Sequence, residues 1–272
     1  MTDQALPEFQ QLFEAPGLPR SDLPEAVERA YGSFGLDTEV VYGNFVSSLD
    51  GIVAIPDVPR SSALISGGDP ADRFVVALLR AAADAIVIGA GTFRAHDGPW
   101  TPGNASPEAQ RPLIEFRKRE GISERPTLVV VTASGDLGGP PSKLDGVIVM
   151  TTSEGAGRLG EAGAAAAEVV DVGTTGPIDM RDVMGWLSEH GYGRILTEGG
   201  PKLMGEALKA RVVDELFLTI SPVIVGGGET EPRPTLASGV EMLPATLGQL
   251  LSLRRKDSYL VLRYALSEVA PS

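Results

Sequence analysis

Two apolar rhythms alternate along this chain, and their order predicts a layered domain. Residues 40–46 (Val-Val-Tyr-Gly-Asn-Phe-Val) form a β-rich run that stops at Leu49-Asp50-Gly51, a turn signal. Asp69-Pro70 has the form of a helix start, an N-cap acid followed by proline at the first position. Phe74, Ala77, Leu78 and Ala81 then recur at intervals of three and four, which gives this helix one buried face. It leads straight into residues 85–89 (Ala-Ile-Val-Ile-Gly), a continuous apolar run suited to the middle of a sheet. Further buried strands are predicted at 128–132, 147–151 and 194–197, and helices at 109–120, 179–190 and 202–210.

Beyond residue 210 the character changes. Residues 215–221 alternate, and 250–253 and 260–264 flank Arg254-Arg255-Lys256-Asp257-Ser258 in the manner of an antiparallel pair. The fold class predicted is therefore α/β: a mainly parallel central sheet, helices on both faces, and antiparallel strands at the C-terminal end. Residues 98–107 and 226–234 read as Gly/Pro-rich loops, 155–167 as a weak Ala/Gly-rich helix, and no internal repeat is visible. Residues 1–36 read as an N-terminal extension, packed on the domain or partly disordered, with 37–272 as the domain itself. A short helix is expected from Pro24 to Tyr31, capped by Asp22 and with Pro24 in its first turn.

Composition narrows the chemistry. The 272 residues fit one large domain or two small ones, and 43% hydrophobic with 22% charged residues is ordinary for a globular chain. A formal net charge of −13 argues against a broad nucleic-acid or anionic-membrane surface. The absence of cysteine removes disulfides, thiol nucleophiles, thiolate metal sites and iron–sulfur clusters, and two histidines, His96 and His190, cannot make a multi-histidine site. No metal is expected. Nothing long and apolar enough to span a bilayer occurs, and the first residues lack a secretory signal, so the expected location is cytoplasmic.

The strongest chemical signal is Thr197-Glu198-Gly199-Gly200-Pro201-Lys202-Leu203, in which a buried strand meets two glycines and then a helix-opening proline. Glycine admits a ligand close to the backbone, and a helix start offers unpaired N–H groups to a phosphate. A tight strand-to-helix turn explains the same residues. Gly89-Ala90-Gly91-Thr92 is a second such turn after a buried strand; it does not complete the dinucleotide fingerprint, because Arg94 stands where a glycine is needed. Two glycine turns at the ends of parallel strands favour nucleotide binding, since ligands gather beyond those ends. Asp50, by periodicity alone, is a turn former.

In order along the chain come Ser48-Leu49-Asp50-Gly51, Leu79-Arg80-Ala81, Asp84-Ala85, Gly89-Ala90-Gly91-Thr92, Thr197-Glu198-Gly199-Gly200-Pro201 and Asp214-Glu215-Leu216 leading to Ser221-Pro222. This series resembles the reductase domain of riboflavin biosynthesis, the C-terminal half of the bifunctional deaminase-reductase, over about residues 39–265. The resemblance implies a dihydrofolate-reductase-like fold and an NADPH-dependent reductase. Its expected reaction converts 5-amino-6-(5-phosphoribosylamino)uracil to the ribitylamino product, with hydride reaching C1′ of the open-chain imine. The zinc deaminase signature requires cysteines, so a stand-alone reductase module is expected, as a homodimer acting on a small phosphoribosyl-pyrimidine.

Carried over by position, Asp50, Glu198 and Asn44 surround the reacting carbon, and Ser62 and Arg80 contact substrate. Gly89, Gly91, Thr92, Gly199, Gly200, Pro201, Lys202 and Leu203 form the cofactor turns, with Thr132 and Ser134 near the adenosine end and Ser47 and Leu64 beside the nicotinamide. His96 is counted with the cofactor-binding residues, although it stands where the family commonly has an acid; Asp97 is adjacent. Plainer readings stay open: a helix-surface salt bridge for Arg80, a helix N-terminal acid for Glu198, a solvent-facing residue for Lys202. Asn44 replaces the family's usual lysine and can supply neither a proton nor a positive charge, and the loop 55–62 runs slightly long. These departures fall on the substrate half. They keep open a dihydrofolate or pterin reductase on the same fold, or a nucleotide-binding module without turnover. NADPH rather than NADH rests on the resemblance, because residues 132–135 offer hydroxyls and amides but no arginine.

Overall fold

A computed structural model describes residues 6–268 apart from 57, 59, 97, 174 and 228–232. Its strands are β1 (Gln10–Glu14), β2 (Val40–Ser47), β3 (Ala85–Gly89), β4 (Thr127–Thr132), β5 (Val147–Thr151), β6 (Glu168–Asp171), β7 (Arg194–Thr197), β8 (Glu215–Ile220), β9 (Thr246–Lys256) and β10 (Tyr259–Glu268). Its α-helices are α1 (Glu25–Tyr31), α2 (Ser61–Ile65), α3 (Pro70–Ala82), α4 (Ala90–Ala95), α5 (Pro102–Ala105), α6 (Gln110–Arg119), α7 (Ser153–Ala166), α8 (Met180–Glu189) and α9 (Pro201–Lys209).

The strands make one ten-stranded sheet in the order β1-β9-β10-β8-β2-β7-β3-β4-β5-β6. From β8 to β6 every pairing is parallel, and β10, β9 and β1 continue it antiparallel. Side chains alternate between two cores. Tyr42, Ile86, Ile88, Val130, Leu196 and Phe217 face α1, α3 and α6, whereas Val87, Val129, Ile148, Ile195 and Leu216 face α8 and α9. The predicted parallel sheet, covered on both faces and closed by antiparallel strands, is what the chain adopts.

Asp69 caps α3 through the Ala71 N–H at 2.7 Å, with Pro70 next to it, as its sequence predicts. Half-buried Asp84 aligns the sheet's centre, its carboxylate accepting from the N–H groups of Gly193 and Arg194 at 3.1 and 2.8 Å as β7 begins. Arg117, fully buried, donates to the carbonyls of Arg80, Ala81 and Ala83 and so satisfies the open end of α3.

Several local expectations need correction. Pro24, not Asp22, is the N-cap of α1, and the Asp22 carboxylate instead accepts from Arg119 at 3.2 Å. Residues 10–14 form the edge strand β1, and 168–171 form β6; both lack the apolar density that marks the inner strands. The loop 98–107 contains α5, and α7 is interrupted at Gly160, where φ is 74°. β9 extends well beyond the predicted 250–253. Most of the predicted loop 226–234 lies outside the described residues.

Candidate functional site

Parallel strands carry their C-terminal ends to one edge of the sheet, and the sequence-predicted residues of β2, β3, β4 and β7 collect there. The shortest of these strands sits in the middle. Thr197 of β7 pairs with Gly43 of β2 on one side and Val87 of β3 on the other. The next residue, Glu198, stays in the ladder through its N–H to the Val87 carbonyl at 3.1 Å. Leu196 packs in the α3-side core, so by the two-residue alternation Glu198 emerges on that same face.

There its carboxylate meets Arg80 of α3. Nε donates to Oε1 at 2.9 Å and Nη2 to Oε2 at 2.6 Å, and the two side chains are 6% and 9% exposed. The Arg80 guanidinium also lies 4.7 Å from the ring centre of Trp100, itself in contact with His96. The sequence reading set Arg80's donor fork against substrate; in the structure that fork is already occupied by Glu198. The two form one buried unit rather than independent groups, and neither plainer reading describes them. The Gly98 N–H donates to Nδ1 of His96 at 3.0 Å, so a neutral His96 carries its proton on Nε2. Burial, then the charges of Arg80 and Arg60, hold its pKa below the usual imidazole value against the pull of Glu198. Its neighbour Asp97 lies outside the described residues.

The two glycine turns converge beside this pair. A Cβ on Gly200 would stand 3.4 Å from the Thr92 hydroxyl, and one on Gly89 would stand 3.9 Å from the Leu203 Cβ. Neither Gly89, Gly91, Gly199 nor Gly200 has a positive φ, so backbone conformation does not demand glycine at these positions. Space demands it only at Gly199, where a Cβ would fall 2.3 Å from a Leu203 methyl; one on Gly91 would meet nothing within 4 Å. α9 begins at Pro201 with no side-chain cap, which leaves the N–H groups of exposed Lys202 and of Leu203 as open donors. α4 likewise begins after Gly89 without a side-chain cap. These uncapped helix starts, side by side and each preceded by a glycine, suit a diphosphate. Thr132 and Ser134, at the end of β4, bring their hydroxyls within 3.5 Å of each other one strand further out.

The substrate-side assignments separate. Asn44 follows Tyr42 on the α3-facing side of β2 and is half-buried, next to the Glu198 ladder. Asp50 is exposed, and its contacts are with other groups. It accepts from the Ser48 hydroxyl at 2.6 Å and from the N–H groups of Val225 and Gly226 at 3.2 and 2.7 Å, which ties the turn after β2 to the loop after β8. Those hydrogen bonds, the Ser48 one foremost, lower its pKa to about 2, so it is a carboxylate at neutral pH and an acceptor only. Ser47 is buried and donates to the Ser48 carbonyl at 2.9 Å. Ser62 and Leu64 lie exposed on α2, and Leu64, Leu49 and Ile224 are 59%, 60% and 74% exposed. The loop 55–62 includes residues outside the description.

One group escaped the sequence reading. Asp72 is 8% exposed on α3, on the stripe it shares with Val76 and Arg80. It belongs to no ion pair among the described residues. Burial raises its pKa to about 6, a nearby Thr219 hydroxyl opposes that rise, and the charges of Asp69 and Glu198 add to it. An acid in the first turn of a helix is so ordinary that its spacing of eight from Arg80 was the one available signal. No group of His, Asp or Glu that could hold a metal occurs among the described residues, and no described helix is long and apolar enough to cross a membrane.

The chain is similar to known proteins in sequence and in fold. A reductase of Archaeoglobus fulgidus, 2,5-diamino-6-ribosylamino-4(3H)-pyrimidinone 5′-phosphate reductase, is 27% identical over 212 residues, covering 75% of this chain and 88% of its own. A pyrimidine reductase-like protein of Corynebacterium diphtheriae superposes with a TM-score of 0.66 at 24% identity, over 89% of this chain and 98% of its own. The riboflavin biosynthesis reductase of Saccharomyces cerevisiae gives 0.55 at 17%, over 90% and 95%. At those identities the two structures establish the shared fold alone, an α/β fold with a mostly parallel central sheet continued by antiparallel strands. The profile of the RibD C-terminal domain matches residues 39–258, from β2 through β9 with every residue of the site, and the chain belongs to that family.

Proposed function

We propose that the chain is an NADPH-dependent reductase of the riboflavin-pathway type. Its proposed substrate is 5-amino-6-(5-phosphoribosylamino)uracil, which it reduces to the ribitylamino product. The observation that carries this reading is the buried Arg80–Glu198 pair standing directly beside two uncapped helix starts. A charged, water-poor corner next to a diphosphate cradle is what hydride chemistry requires of a protein.

In this reading Lys202, Leu203 and the first turn of α4 hold the diphosphate, and Thr132 and Ser134 receive the adenosine end. The bound cofactor supplies a hydride at its reduced nicotinamide ring. The chain's own residues do the rest. Glu198, held by the β7 ladder and by Arg80, presents a negative charge beside the imine that favours proton uptake at its nitrogen. Asn44 offers an amide donor and acceptor where the family's lysine would stand. Asp50, ionised and bonded to Gly226, keeps the loop after β8 closed over the end of β2. Exposed Leu49, Leu64 and Ile224 shield the entrance from water once a ligand is seated. A homodimer in the cytoplasm is the proposed state.

Loss of absorbance at the reduced-nicotinamide band tests the assignment, with the uracil substrate, its 2-amino precursor and dihydrofolate supplied in turn. Oxidation of NADPH with a phosphoribosylamino-pyrimidine is the expected result. Robust turnover of dihydrofolate alone would reassign the substrate, and cofactor binding without oxidation by any of them would leave a binding module.

A further inference from the structure

α3 carries two ionisable groups along one stripe, and only the distal one has a counter-ion. Arg80 is paired with Glu198. Asp72, two turns earlier, is 8% exposed, and Thr219, whose hydroxyl acts on its carboxyl, is 1% exposed with no hydrogen-bond partner for that hydroxyl among the described residues. Thr219 pairs in register with Val46 of β2, two residues beyond Asn44, and Phe217 places this side of β8 in the α3-facing core. Asp72, Thr219, Asn44 and Glu198 therefore share one layer between α3 and the ends of β2, β7 and β8. An unpaired carboxyl buried in that layer is a poor choice for stability, since an apolar residue would pack there without desolvation.

Resting on the reductase reading above, we infer that Asp72 is the acid of the site, holding the proton that the reduction consumes. The balance is simple. The imine carbon gains the hydride from the reduced nicotinamide, the C=N electron pair passes to nitrogen, and nitrogen takes one proton. The O–H bond of the Asp72 carboxyl breaks as the N–H bond forms, and water returns the proton to the carboxylate after product leaves. Asn44 cannot act in this way, and Asp50 is held ionised. Charged and titratable groups facing Asp72 are Asp69 and Arg73 on its own helix, Glu198 after β7, and Tyr259 on β10, whose hydroxyl donates to the Ser66 carbonyl at 3.0 Å.

The test compares D72N and T219V with the wild-type chain, by thermal melting across pH and by the pH dependence of turnover. In the wild type a carboxyl whose folded pKa lies above its unfolded one binds its proton more tightly when folded, so stability falls as pH rises from about 4 to about 6. D72N removes that fall and melts above the wild type at neutral pH. Wild-type kcat declines about tenfold per pH unit above the Asp72 titration; D72N loses that limb and at least tenfold in kcat, with unchanged NADPH affinity by calorimetry. T219V removes the hydroxyl that restrains the titration and moves both the stability change and the rate limb to higher pH. A D72N chain with wild-type kcat and an unaltered pH profile overturns the proposal while the reductase reading stands. A wild-type chain that reduces no pyrimidine overturns both.

Discussion

Gly199 and Gly200 are adjacent, yet the structure gives them different work. A methyl on Gly199 would meet the Leu203 side chain at 2.3 and 2.9 Å, the second contact being with its Cβ, which cannot swing away. G199A is therefore expected to lower stability by about 1–3 kcal/mol through overpacking, seen as an earlier urea midpoint. Gly200 has only the Thr92 hydroxyl, at 3.4 Å, in front of it. G200V is expected to fold with a melting temperature near the wild type and to lose NADPH affinity at least tenfold, because its branches fill the space where a phosphate meets the α9 N–H groups. Unchanged affinity in G200V would remove the phosphate assignment. The glycines themselves were legible in the sequence. The Arg80–Glu198 contact was not, because its partners are 118 residues apart and nothing local in either segment announces the other.

Among the elements, the inner strands were readable because burial on both faces leaves continuous apolar runs such as Ala85-Ile86-Val87-Ile88. β1 was hidden for the converse reason. Its residues are exposed along nearly their whole length, and the strand exists because β9 offers it an open edge. Glu14, at the end of β1, accepts from Arg254 at 2.7 Å, and Arg254 is 2% exposed with its guanidinium 4.3 Å from the Tyr31 ring centre. Just before β1, Phe9 packs edge-on against Tyr31 at 5.5 Å. Removing residues 1–14 would strip Arg254 of its carboxylate and expose the β9 edge. The expected loss is about 3–5 kcal/mol, the usual consequence of leaving one member of a buried pair behind. Chemical denaturation reads this directly. A truncated chain as stable as the full one would mean that this segment merely decorates the sheet.

The whole molecule carries −13 at neutral pH, and the ligand proposed for it is also an anion. Attraction must therefore come from short-range donors at the ends of α4 and α9, acting against a repulsive field. Such a balance has an unusual salt signature. Raising ionic strength from about 10 mM to about 150 mM shortens the screening length from about 30 to about 8 Å and weakens the long-range repulsion more than the local contacts. NADPH affinity measured by calorimetry is expected to hold or improve across that range. A several-fold weakening would point instead to a cationic cluster gripping the phosphates.

β7 has four residues and two parallel neighbours. Odd and even counts are not equivalent in such a segment. One amino acid inserted between Arg194 and Thr197 would turn the acidic side chain at its end through the sheet, from the layer of Arg80 to that of α8 and α9. Arg80 would then be stranded without an anion. Parity in this short stretch thus links where the carboxylate points to whether the chain folds at all, so drift in its length is unlike drift in any outer loop.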